Sequence, residues 1–576
     1  MSKNAQKCPN NFLYLAISIL ITLYYGIYFY YFVFTQEYIV QDDVRQHIVW
    51  LQRFIDPELF KQDIIAEYFY HLAPLGFKSL YIWTAKIGIS PLLLAKLLPP
   101  ILALITTIYT YFFTLKILTI PIAGCLSSLF INQLMWLNDD LVSATHRAFI
   151  YPFFAAFLYY LAQNKIIPCL TIMLLQGLFY PHILLIEMAI FSLRLLVIKK
   201  TLSIKLTNKK QPYVWWIAGL IITAIALYPI TQKPPELAIT VTAQQMEQMP
   251  EFNLGGRSVF FGGGIFQYWF AGSSGLSLPL FPTVVWLGIA LPWLLKTKLP
   301  IVNLITNKSQ ILQQVTVASL LMFLLAQILL PKLHLPSRYT YHTLRFVLAI
   351  STGIVVTILL DLTKKYFKHK KQFDLLEKTK IAVVSIFAIA IVIFPAIPYV
   401  FSNWFQNWKV GTAPEVYQYL AQQPKNILVA SLSEEANNIP AFSQRSILVG
   451  REFAMAYHPT YHNQIKQRTV DLLQAQYSVD LNIIQSFIDK YAIDYWLLDS
   501  NAFDTEYLKE KDWLINSSWV QETNQINEQL EMGSDSILEK SVSSCSVVST
   551  ENLNLLDANC ILRKRQFSSM HLNPLP

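Results

Sequence analysis

The class of this protein is decided near its N-terminus, where residues 12–34 read FLYLAISILITLYYGIYFYYFVF and residues 41–47 read QDDVRQH. The first stretch is uncharged and has the length at which an apolar helix crosses a bilayer. It follows Lys3 and Lys7, exceeds the apolar core of a secretory signal peptide and is not followed by a small-residue cleavage site. We therefore predict a retained membrane span with two adjacent aspartates just beyond its far end.

The whole chain has the composition of an integral membrane protein. Of its 576 residues, 54% are hydrophobic and 14% are charged, whereas soluble domains contain about 25% charged residues. Such a composition excludes a disordered chain, a coiled coil and a disulfide-rich secreted module. The apolar runs predict about eleven transmembrane helices and one further partial helix over residues 77–88. The predicted spans cover residues 12–34, 91–118, 119–137, 148–163, 166–180, 181–198, 212–230, 276–295, 311–330, 343–362 and 381–401.

The charges of the chain are divided unequally. The first 400 residues carry a net charge of +16 and the remainder −7, within a total of +9. With about eleven spans, the lysine-rich loops near residues 199–210, 296–308 and 364–380 share the side of the N-terminus, and such loops stay in the cytoplasm. We therefore predict a protein of the plasma (inner) membrane with a cytoplasmic N-terminus and an extracytoplasmic C-terminal region. Nucleic-acid binding is a poorer explanation of the basic excess, because it requires a basic face on a soluble domain.

Three parts are predicted along the chain. They are a polytopic α-helical membrane domain at residues 1–401, a small extracytoplasmic α/β domain at residues 402–532 and a loosely ordered tail at residues 533–576. Within the membrane domain we predict a long extracytoplasmic loop at residues 35–76. Within the α/β domain we predict three buried strands, at residues 426–432, 446–450 and 493–499, and two helices, at residues 464–476 and 482–491. Cys545 and Cys560 lie in the tail, where the sequence is compatible with a disulfide bond and with two free thiols.

The first extracytoplasmic loop carries a candidate catalytic pair. Asp42 and Asp43 lie just past the first span, and His47 is placed four residues after Asp43, on the same face of a helix. Adjacent carboxylates raise each other's proton affinity or share a metal ion, so they suit a general base or a metal site. The alternative is a solvated acidic loop with local ion pairs.

A second acidic pair is predicted on the same side of the membrane. Asp139 and Asp140 follow the end of a predicted span and precede His146 and Arg147. In a helical stretch Asp139 and His146 share a face. The alternative is helix capping, for which asparagine and aspartate are favoured. A functional site is favoured over helix capping because both acidic pairs are predicted to face the same compartment.

Basic residues accompany the start of a later span. The spacing is four, four and three residues between His334, Arg338, His342 and Arg345. It predicts that the last three lie on one face of a helix, whereas Pro336 separates His334 from them. An arginine inside a span is costly without a partner, and its forked donors suit a phosphate. The pattern therefore favours a lipid phosphate held at the membrane surface. The alternative is snorkelling of these side chains towards lipid headgroups.

The predicted α/β domain contributes one stretch dense in ionisable and aromatic side chains, RSILVGREFAMAYHPTYHNQ over residues 445–464. The pattern fits a surface that faces the membrane domain and closes over a substrate, or an ordinary domain surface. The residues concerned are Arg451, Glu452, Tyr457, His458 and His462.

The order of these parts resembles the GT-C superfamily of integral membrane glycosyltransferases. Members have a cytoplasmic N-terminus, many spans, a long first extracytoplasmic loop with an acidic motif just after the first span, and often a soluble C-terminal domain. The matching residues here are Asp42-Asp43 and Asp139-Asp140. The similarity is to the polyprenyl-phosphate-sugar-dependent transferases of the protein O-mannosyl and lipid A aminosugar kind. The WWD-type sequence of oligosaccharyltransferase catalytic subunits does not occur in this chain.

The resemblance implies transfer of a sugar from a polyprenyl-phosphate-linked donor to a hydroxyl of a glycan, lipid or protein acceptor on the extracytoplasmic face. Asp42 or Asp43 would be the general base that takes the acceptor proton. Asp139, Asp140, His47 and His146 would position the acceptor or a metal. Arg338, His342, Arg345 and Arg147 would hold the leaving phosphate. Some members use a divalent metal such as Mg²⁺ or Mn²⁺, and others do not.

Two other functions stay open at this point. A transporter or flippase of lipid-linked sugar would place polar groups at the bilayer midplane and show repeat symmetry. Here the charges cluster at the rim of the membrane and the sequence shows no repeat. A non-catalytic membrane scaffold would bind a partner through its tail, and its acidic pairs would be dispensable.

Overall fold

The computed structural model describes residues 11–198, 204–262, 264–369, 379, 407–533 and 535–563. Within these residues the chain is mostly helical and contains one five-stranded sheet. We call residues 11–369 the membrane part and residues 407–563 the C-terminal domain. The span predicted at residues 381–401 lies outside the described residues.

The membrane part consists of helices joined by short strands and 3-10 turns. Its α-helices are α1 (Asn11–Phe34), α2 (Asp42–His47), α3 (Ile64–Leu72), α4 (Leu75–Lys86), α5 (Pro91–Ile117), α6 (Pro121–Trp136), α7 (Asp139–Val142), α8 (Ile150–Ala162), α9 (Ile166–Phe179), α10 (Pro181–Leu193), α11 (Lys210–Thr231), α12 (Pro235–Ala238), α13 (Ala243–Gln248), α14 (Gly264–Phe270), α15 (Leu291–Leu294), α16 (Gln310–Ile328) and α17 (Tyr341–His369). Its strands are β1 (Ile39–Gln41), β2 (Leu196–Ile198) and β3 (Ile204–Leu206). Its 3-10 helices include Val49–Phe54, His146–Phe149, Thr283–Ala290 and Pro336–Tyr339.

Several of these helices have the properties of membrane spans. In the described part of the chain, 5 helical segments are long and apolar enough to cross a membrane: Asn11–Phe34, Pro91–Ile117, Lys210–Thr231, Asn307–Ile328 and Pro336–Lys368. Shorter apolar helices cover Ile166–Phe179, Pro181–Leu193 and Thr283–Leu294. These segments indicate an integral membrane protein, whereas the predicted count of about eleven spans is not confirmed.

Helices α1, α5, α6, α8 and α17 pack together in the membrane part. Helices α6 and α17 approach closely at Gly353, where an added side chain would collide with the backbone of Ser127. Helix α6 leads into the second acidic pair, and α17 begins with the predicted basic residues. The close packing of α6 and α17 therefore brings these two groups of side chains near each other.

The loop after α1 is folded into short elements. Asp63 caps α3, because its carboxylate accepts the backbone N–H groups of Ile65 and Ala66 at 2.8 and 3.1 Å. Helix α4 confirms the partial helix predicted over residues 77–88. The loop that contains β1 and α2 is therefore ordered by the helices that follow them, α3 and α4.

The C-terminal domain is built around the five-stranded sheet. Its helices are α18 (Pro414–Gln422), α19 (Ile439–Phe442), α20 (Pro459–Gln476), α21 (Leu481–Tyr491), α22 (Asp512–Ile515), α23 (Val520–Glu531) and α24 (Ile537–Cys545). Its strands are β4 (Trp408–Val410), β5 (Leu428–Ala430), β6 (Ser446–Ile447), β7 (Tyr495–Asp499), β8 (Ser546–Ser549) and β9 (Leu553–Asp557). The strand order is β6-β5-β7-β9-β8, with β5 parallel to β6 and β7, and β9 antiparallel to β7 and β8. The three predicted strands and two predicted helices are all present.

The prediction of a loosely ordered tail is wrong for residues 535–563. This segment forms α24, β8 and β9, and Cys545 forms a disulfide bond with Cys560. Leu553, Leu555 and Leu556 of β9 are buried in the sheet. Their burial orders a segment whose serine and asparagine content indicates disorder when the sequence is considered alone.

A two-stranded antiparallel pair joins the two parts of the molecule. Strand β1 pairs with β4, with Gln41 opposite Trp408. The Trp408 ring also packs against Phe29 and Phe32 of α1, with ring centroids 5.8 Å from each. The start of the C-terminal domain is therefore fixed to the end of α1 and to the residues that lead into α2.

Candidate functional site

Helix α2 carries the first acidic pair, and both parts of the molecule hold its first turn. The side-chain carbonyl of Gln41 accepts the backbone N–H of Asp43 at 2.7 Å, which caps the helix. The backbone carbonyl of Asn407, just before β4, accepts the backbone N–H of Asp42 at 2.8 Å. The two aspartate side chains leave α2 in different directions and belong to different networks.

Arg147 joins Asp43 to the second acidic pair. Its guanidinium forms an ion pair with Asp43 and another, at 2.8 Å, with one oxygen of Asp140. The other oxygen of Asp140 lies 3.1 Å from Nε2 of His342. Asp140 and His342 are fully buried, whereas 20% of the Asp43 side chain is exposed. We call these four residues the Asp43 network.

Burial and neighbouring charges give Asp139 and Asp140 different proton affinities. Burial opposes ionisation of Asp140, but Arg147 and His342 outweigh it and hold its pKa below the usual range. For Asp139, burial and then the neighbouring Asp140 raise the pKa to about 6. Oδ2 of Asp139 accepts a hydrogen bond from Asn407 at 3.0 Å. The pair therefore combines a fixed anion with a carboxyl group that exchanges its proton near neutral pH.

The two histidines of the predicted site lie against each other and against an aromatic ring. The His47 and His146 ring centroids are 5.0 Å apart, and His146 stacks on Tyr180 at 5.7 Å. Burial lowers the pKa of His47 to about 4 and that of His146 well below its usual value. Both rings are therefore neutral at physiological pH, and Nδ1 of His146 is buried without a hydrogen-bond partner among the described residues.

The two arginines of the predicted basic stripe have different surroundings. Arg338 is half-buried, and its side chain has no hydrogen bond or ion pair with a described residue, although its charge acts on Asp139 and Asp140. The Arg345 guanidinium lies 3.4 Å from the ring centroid of Tyr341 and donates to the Tyr341 carbonyl at 2.6 Å. Within the described residues, Arg345 is held by Tyr341 but keeps a buried Nε without a hydrogen-bond partner, whereas the Arg338 side chain makes no hydrogen bond or ion pair.

This geometry changes the predicted assignment of the phosphate ligands. Arg147 is bound by two carboxylates, His342 is bound by Asp140, and Arg345 is bound by Tyr341. The Arg338 guanidinium has no hydrogen bond or ion pair with a described residue, and the Nε of Arg345 is also buried without a hydrogen-bond partner. The side chains predicted to surround a phosphate thus lie together, but three of them support carboxylates or the start of α17.

Asp42 belongs to a second network at the junction with the C-terminal domain. It forms an ion pair with Arg45, whose guanidinium lies 3.5 Å from Glu452 and donates to Asn438 at 2.9 Å. Glu452 is 4% exposed and also pairs with Arg257, at 2.8 Å. Burial, only partly offset by Arg257 and Arg45, raises the pKa of Glu452. We call Asp42, Arg45, Glu452 and Arg257 the Asp42 network.

Other residues of the 445–464 stretch also contact loops of the membrane part, as one of the two interpretations predicted. Nδ1 of His458 lies 2.9 Å from the Tyr68 hydroxyl, and Nε2 of His462 lies 3.0 Å from Glu251. The side chain of Arg451 instead faces an acidic residue of its own domain. The density of ionisable residues in this stretch therefore reflects an interface.

The carboxylates of the site do not fit a bound metal ion. No group of three or more His, Cys, Asp or Glu side chains in the described ranges is arranged to hold one. The carboxylates best placed to coordinate a cation, those of Asp43 and Asp140, are bridged by Arg147. A guanidinium there neutralises the charge that would attract a cation. The resemblance left a divalent metal such as Mg²⁺ or Mn²⁺ open, and no step of the reaction proposed below uses one.

Comparison with solved structures identifies a GT-C fold, that of an archaeal oligosaccharyltransferase. The Archaeoglobus fulgidus oligosaccharyltransferase complex with Zn and sulfate is similar at a TM-score of 0.52 and 13% identity, over 89% of this chain and 70% of that chain. A structure of the same protein tethered with an acceptor peptide has a TM-score of 0.47 and 12% identity. A structure of the oligosaccharyltransferase AglB from Archaeoglobus fulgidus, in complex with an inhibitory peptide and a dolichol-phosphate, has a TM-score of 0.46 and 11% identity. Each of these two matches covers 90% of this chain and 72% of that chain.

No protein-family model and no curated protein matches the chain. The structural likeness at this level of identity concerns the fold alone. It supports the GT-C architecture expected from the sequence, although the similar structures are of an oligosaccharyltransferase and not of the two kinds of transferase named above.

Sequence reasoning missed two residues that hold the site together. Asn407 binds both acidic pairs, through its backbone to Asp42 and through its side chain to Asp139. The Tyr341 hydroxyl donates to Asn138 at 2.6 Å, next to the second pair. Asn407 gave no signal in the sequence, because it is a single polar residue beside a predicted span. Tyr341 lies between Arg338 and His342, and the basic residues of this segment account for its sequence pattern without it.

Proposed function

We propose that the protein is a membrane glycosyltransferase that moves a sugar from a polyprenyl-phosphate-linked donor to an acceptor hydroxyl. The reaction would take place at the membrane face that carries the C-terminal domain, which the charge distribution predicts to be extracytoplasmic. The GT-C fold supports the class of protein. The observation that carries the proposal is the meeting of Asp43, Asp139 and Asp140 around Arg147, with an unpaired Arg338 within electrostatic reach.

In the proposed reaction the acceptor oxygen attacks the anomeric carbon of the donor sugar. The bond between that carbon and the phosphate oxygen breaks, and the lipid phosphate leaves with the electron pair. The proton of the acceptor hydroxyl passes to a carboxylate of the enzyme. The chain must therefore supply a proton acceptor and a group that stabilises charge on the leaving phosphate.

Asp139 suits the role of proton acceptor better than the first acidic pair. A general base works best when its pKa lies near the working pH, and burial raises the pKa of Asp139 to about 6. Asp43 is held by Arg147, whose guanidinium occupies one oxygen of its carboxylate. We assign Asp43 to orienting the acceptor hydroxyl. Asp42, held by Arg45, belongs to the interdomain junction.

Arg338 would hold the leaving phosphate. Its guanidinium offers forked donors that match a phosphate, and no described side chain uses them. Charge that develops on the phosphate oxygen in the transition state is stabilised most by a donor already in place. The neutral rings nearby add hydrogen bonds without competing for the anion.

Transport of a lipid-linked sugar is the second candidate function, and one residue favours it. Glu187 lies in the middle of α10, is fully buried, and neither carboxyl oxygen has a hydrogen-bond partner among the described residues. An ionisable side chain inside an apolar helix is a functional candidate in membrane proteins. Unlike the two networks, Glu187 has no described charged partner.

Purified full-length protein in nanodiscs, supplied with a polyprenyl-phosphate sugar and with water as the acceptor of the sugar, tests the two functions. We expect release of polyprenyl phosphate, with losses of at least about 100-fold in both Asp43→Asn and Asp139→Asn. Glu58→Gln, an exposed carboxylate of the same loop, is the matched control and should keep full turnover. Wild-type turnover in both aspartate variants would remove the catalytic assignment. Movement of the intact donor across liposomes, lost in Glu187→Gln and without release of phosphate, would establish the transporter instead.

A further inference from the structure

A cavity of about 180 Å³ shares no lining residue with the Asp43 network. One wall is the chain that leads from α1 into α2, including Gln41. A second wall is the first two turns of α5, including Lys96. The third wall belongs to the C-terminal domain and includes Trp408 and Phe442. The cavity therefore lies where a loop, a candidate span and the C-terminal domain meet.

The cavity is flanked by the ends of two candidate membrane spans. It lies beside the end of α1 and the beginning of α5, both of which have the length and composition of membrane spans. Nζ of Lys96 donates to the carbonyl of Val33, in the last turn of α1, at 3.1 Å. Phe34 and Leu93, next to the cavity in the chain, are 51% and 42% exposed. Exposed apolar side chains beside a lysine are typical of the zone where lipid headgroups lie.

The polar groups that line the cavity are mainly hydrogen-bond donors. Lys96 has three N–H donors and uses one of them on Val33. Nε2 of Gln41 and Nε1 of Trp408 are buried and have no hydrogen-bond partner in the described part of the chain. Buried donors without partners cost free energy, so this wall favours a ligand that supplies acceptor oxygens. Glu37, the acidic residue of the lining, is exposed.

We propose that this cavity binds the phosphate headgroup of a membrane glycerophospholipid whose acyl chains lie along α1 and α5. Phosphate and ester oxygens would accept hydrogen bonds from Lys96 and the unpaired donors. The cavity is smaller than the roughly 300–1,000 Å³ of sites that enclose a whole small-molecule ligand, so it suits a headgroup better than a lipid-linked saccharide. The proposal does not depend on the glycosyltransferase activity.

Occupation of the cavity would act on the position of the first acidic pair. Gln41 lines the cavity, and its side-chain oxygen caps α2 at the backbone of Asp43. A lipid that accepts a hydrogen bond from the nitrogen of the same amide would fix the Gln41 rotamer. The bound lipid would therefore hold the cap of α2 in place without touching the Asp43 carboxylate.

Native mass spectrometry of the full-length protein, delipidated and titrated with phosphatidylglycerol, tests this site. We expect one tightly bound phospholipid in the wild type, about tenfold weaker binding in Lys96→Gln, and near-normal binding in Lys96→Arg, because a charged hydrogen bond is lost only in the first variant. Lys86→Gln, an exposed lysine of α4, is the control and should bind like the wild type. Equal affinity of the wild type and Lys96→Gln would overturn the proposal.

A phospholipid with a photoreactive group beside its phosphate gives a second readout on the same protein. Labelling of residues 92–96 and 441–442 in the wild type, competed by phosphatidylglycerol, is the expected result. Labelling that is competed only by polyprenyl phosphate would overturn the assignment, because the cavity would then be part of the donor site. Unaltered thermal unfolding of Lys96→Arg keeps the comparison valid if Lys96→Gln fails to fold.

Discussion

Asp42 and Asp43 are neighbours in the chain, yet they enter two networks of opposite construction. In the Asp43 network one cation, Arg147, holds two carboxylates. In the Asp42 network one carboxylate, Glu452, holds two guanidinium groups. The first network has two carboxylates to one guanidinium, whereas Asp42 and Glu452 are matched by Arg45 and Arg257 in the second.

We interpret the Asp43 network as the reactive site and the Asp42 network as a structural contact between the two parts of the molecule. An uncompensated carboxylate near the surface keeps the capacity to bind a hydroxyl or a proton, and Asp43 and Asp139 lie at that edge. A balanced set of charges has no such capacity, and it holds the two parts in register because Glu452 of the C-terminal domain pairs with Arg45 and Arg257 of the membrane part. The first turn of α2 therefore contributes Asp43 to the proposed reactive site and Asp42 to the contact between the two parts of the molecule.

The largest effect is expected from breaking the Asp43 network at its centre. Arg147→Ala leaves two carboxylates close together without a counter-ion, so we expect the free energy of unfolding to fall by about 3–5 kcal/mol. Denaturant titration of the purified protein in mild detergent measures the loss. Arg147→Lys keeps the charge and should lose less. A loss below about 1 kcal/mol in Arg147→Ala would show that the network is not a structural centre.

A smaller effect is expected from breaking the Asp42 network. Glu452→Gln removes the charge shared by Arg45 and Arg257, and we expect a loss of about 1–3 kcal/mol with faster hydrogen exchange in β1 and α2. Turnover should fall less than in Asp43→Asn, because Glu452 touches no reacting group. Glu434→Gln, whose side chain is 55% exposed, is the control. Equal exchange rates in Glu452→Gln and Glu434→Gln would contradict the role of the junction.

The smallest effect is a dependence on pH that belongs to Asp139. Since its pKa is raised to about 6, the carboxylate is the main form above pH 6, and turnover should fall about tenfold for each pH unit below that value. Stability should change in the opposite direction. The folded state binds this proton more tightly than the unfolded state, so the wild type should gain stability relative to Asp139→Asn between pH 6 and pH 4. A flat rate profile down to pH 5 would exclude Asp139 as the base.

The sequence predicts the helices well where an apolar run and its ends coincide. The prediction at residues 166–180 matches α9, because the run ends where Pro181 starts the next helix. The span predicted at 276–295 is instead the 3-10 helix Thr283–Ala290 followed by α15. The prolines in that segment prevent a continuous α-helical hydrogen-bond pattern, while its hydropathy alone does not show this.

The sequence predicts the members of the site better than their partners. Charged residues at the rim of an apolar chain are costly, so their presence is informative without any structure. Their pairing depends on tertiary packing, since Asp43 and Arg147 are 104 residues apart and Asp140 and His342 are 202 residues apart. Arg147 was therefore assigned to a phosphate, because a sequence shows a cation but not the anion that it contacts.

The pairing of β1 with β4 also determines when the first acidic pair can be completed during synthesis. Gln41 leaves the ribosome roughly 370 residues before Trp408, which corresponds to about 20–70 seconds at usual rates of translation. During that interval α2 lacks the Asn407 carbonyl that binds the backbone of Asp42. Until Asn407 and Trp408 have been made, the first turn of α2 therefore lacks one of the hydrogen bonds that position the first acidic pair.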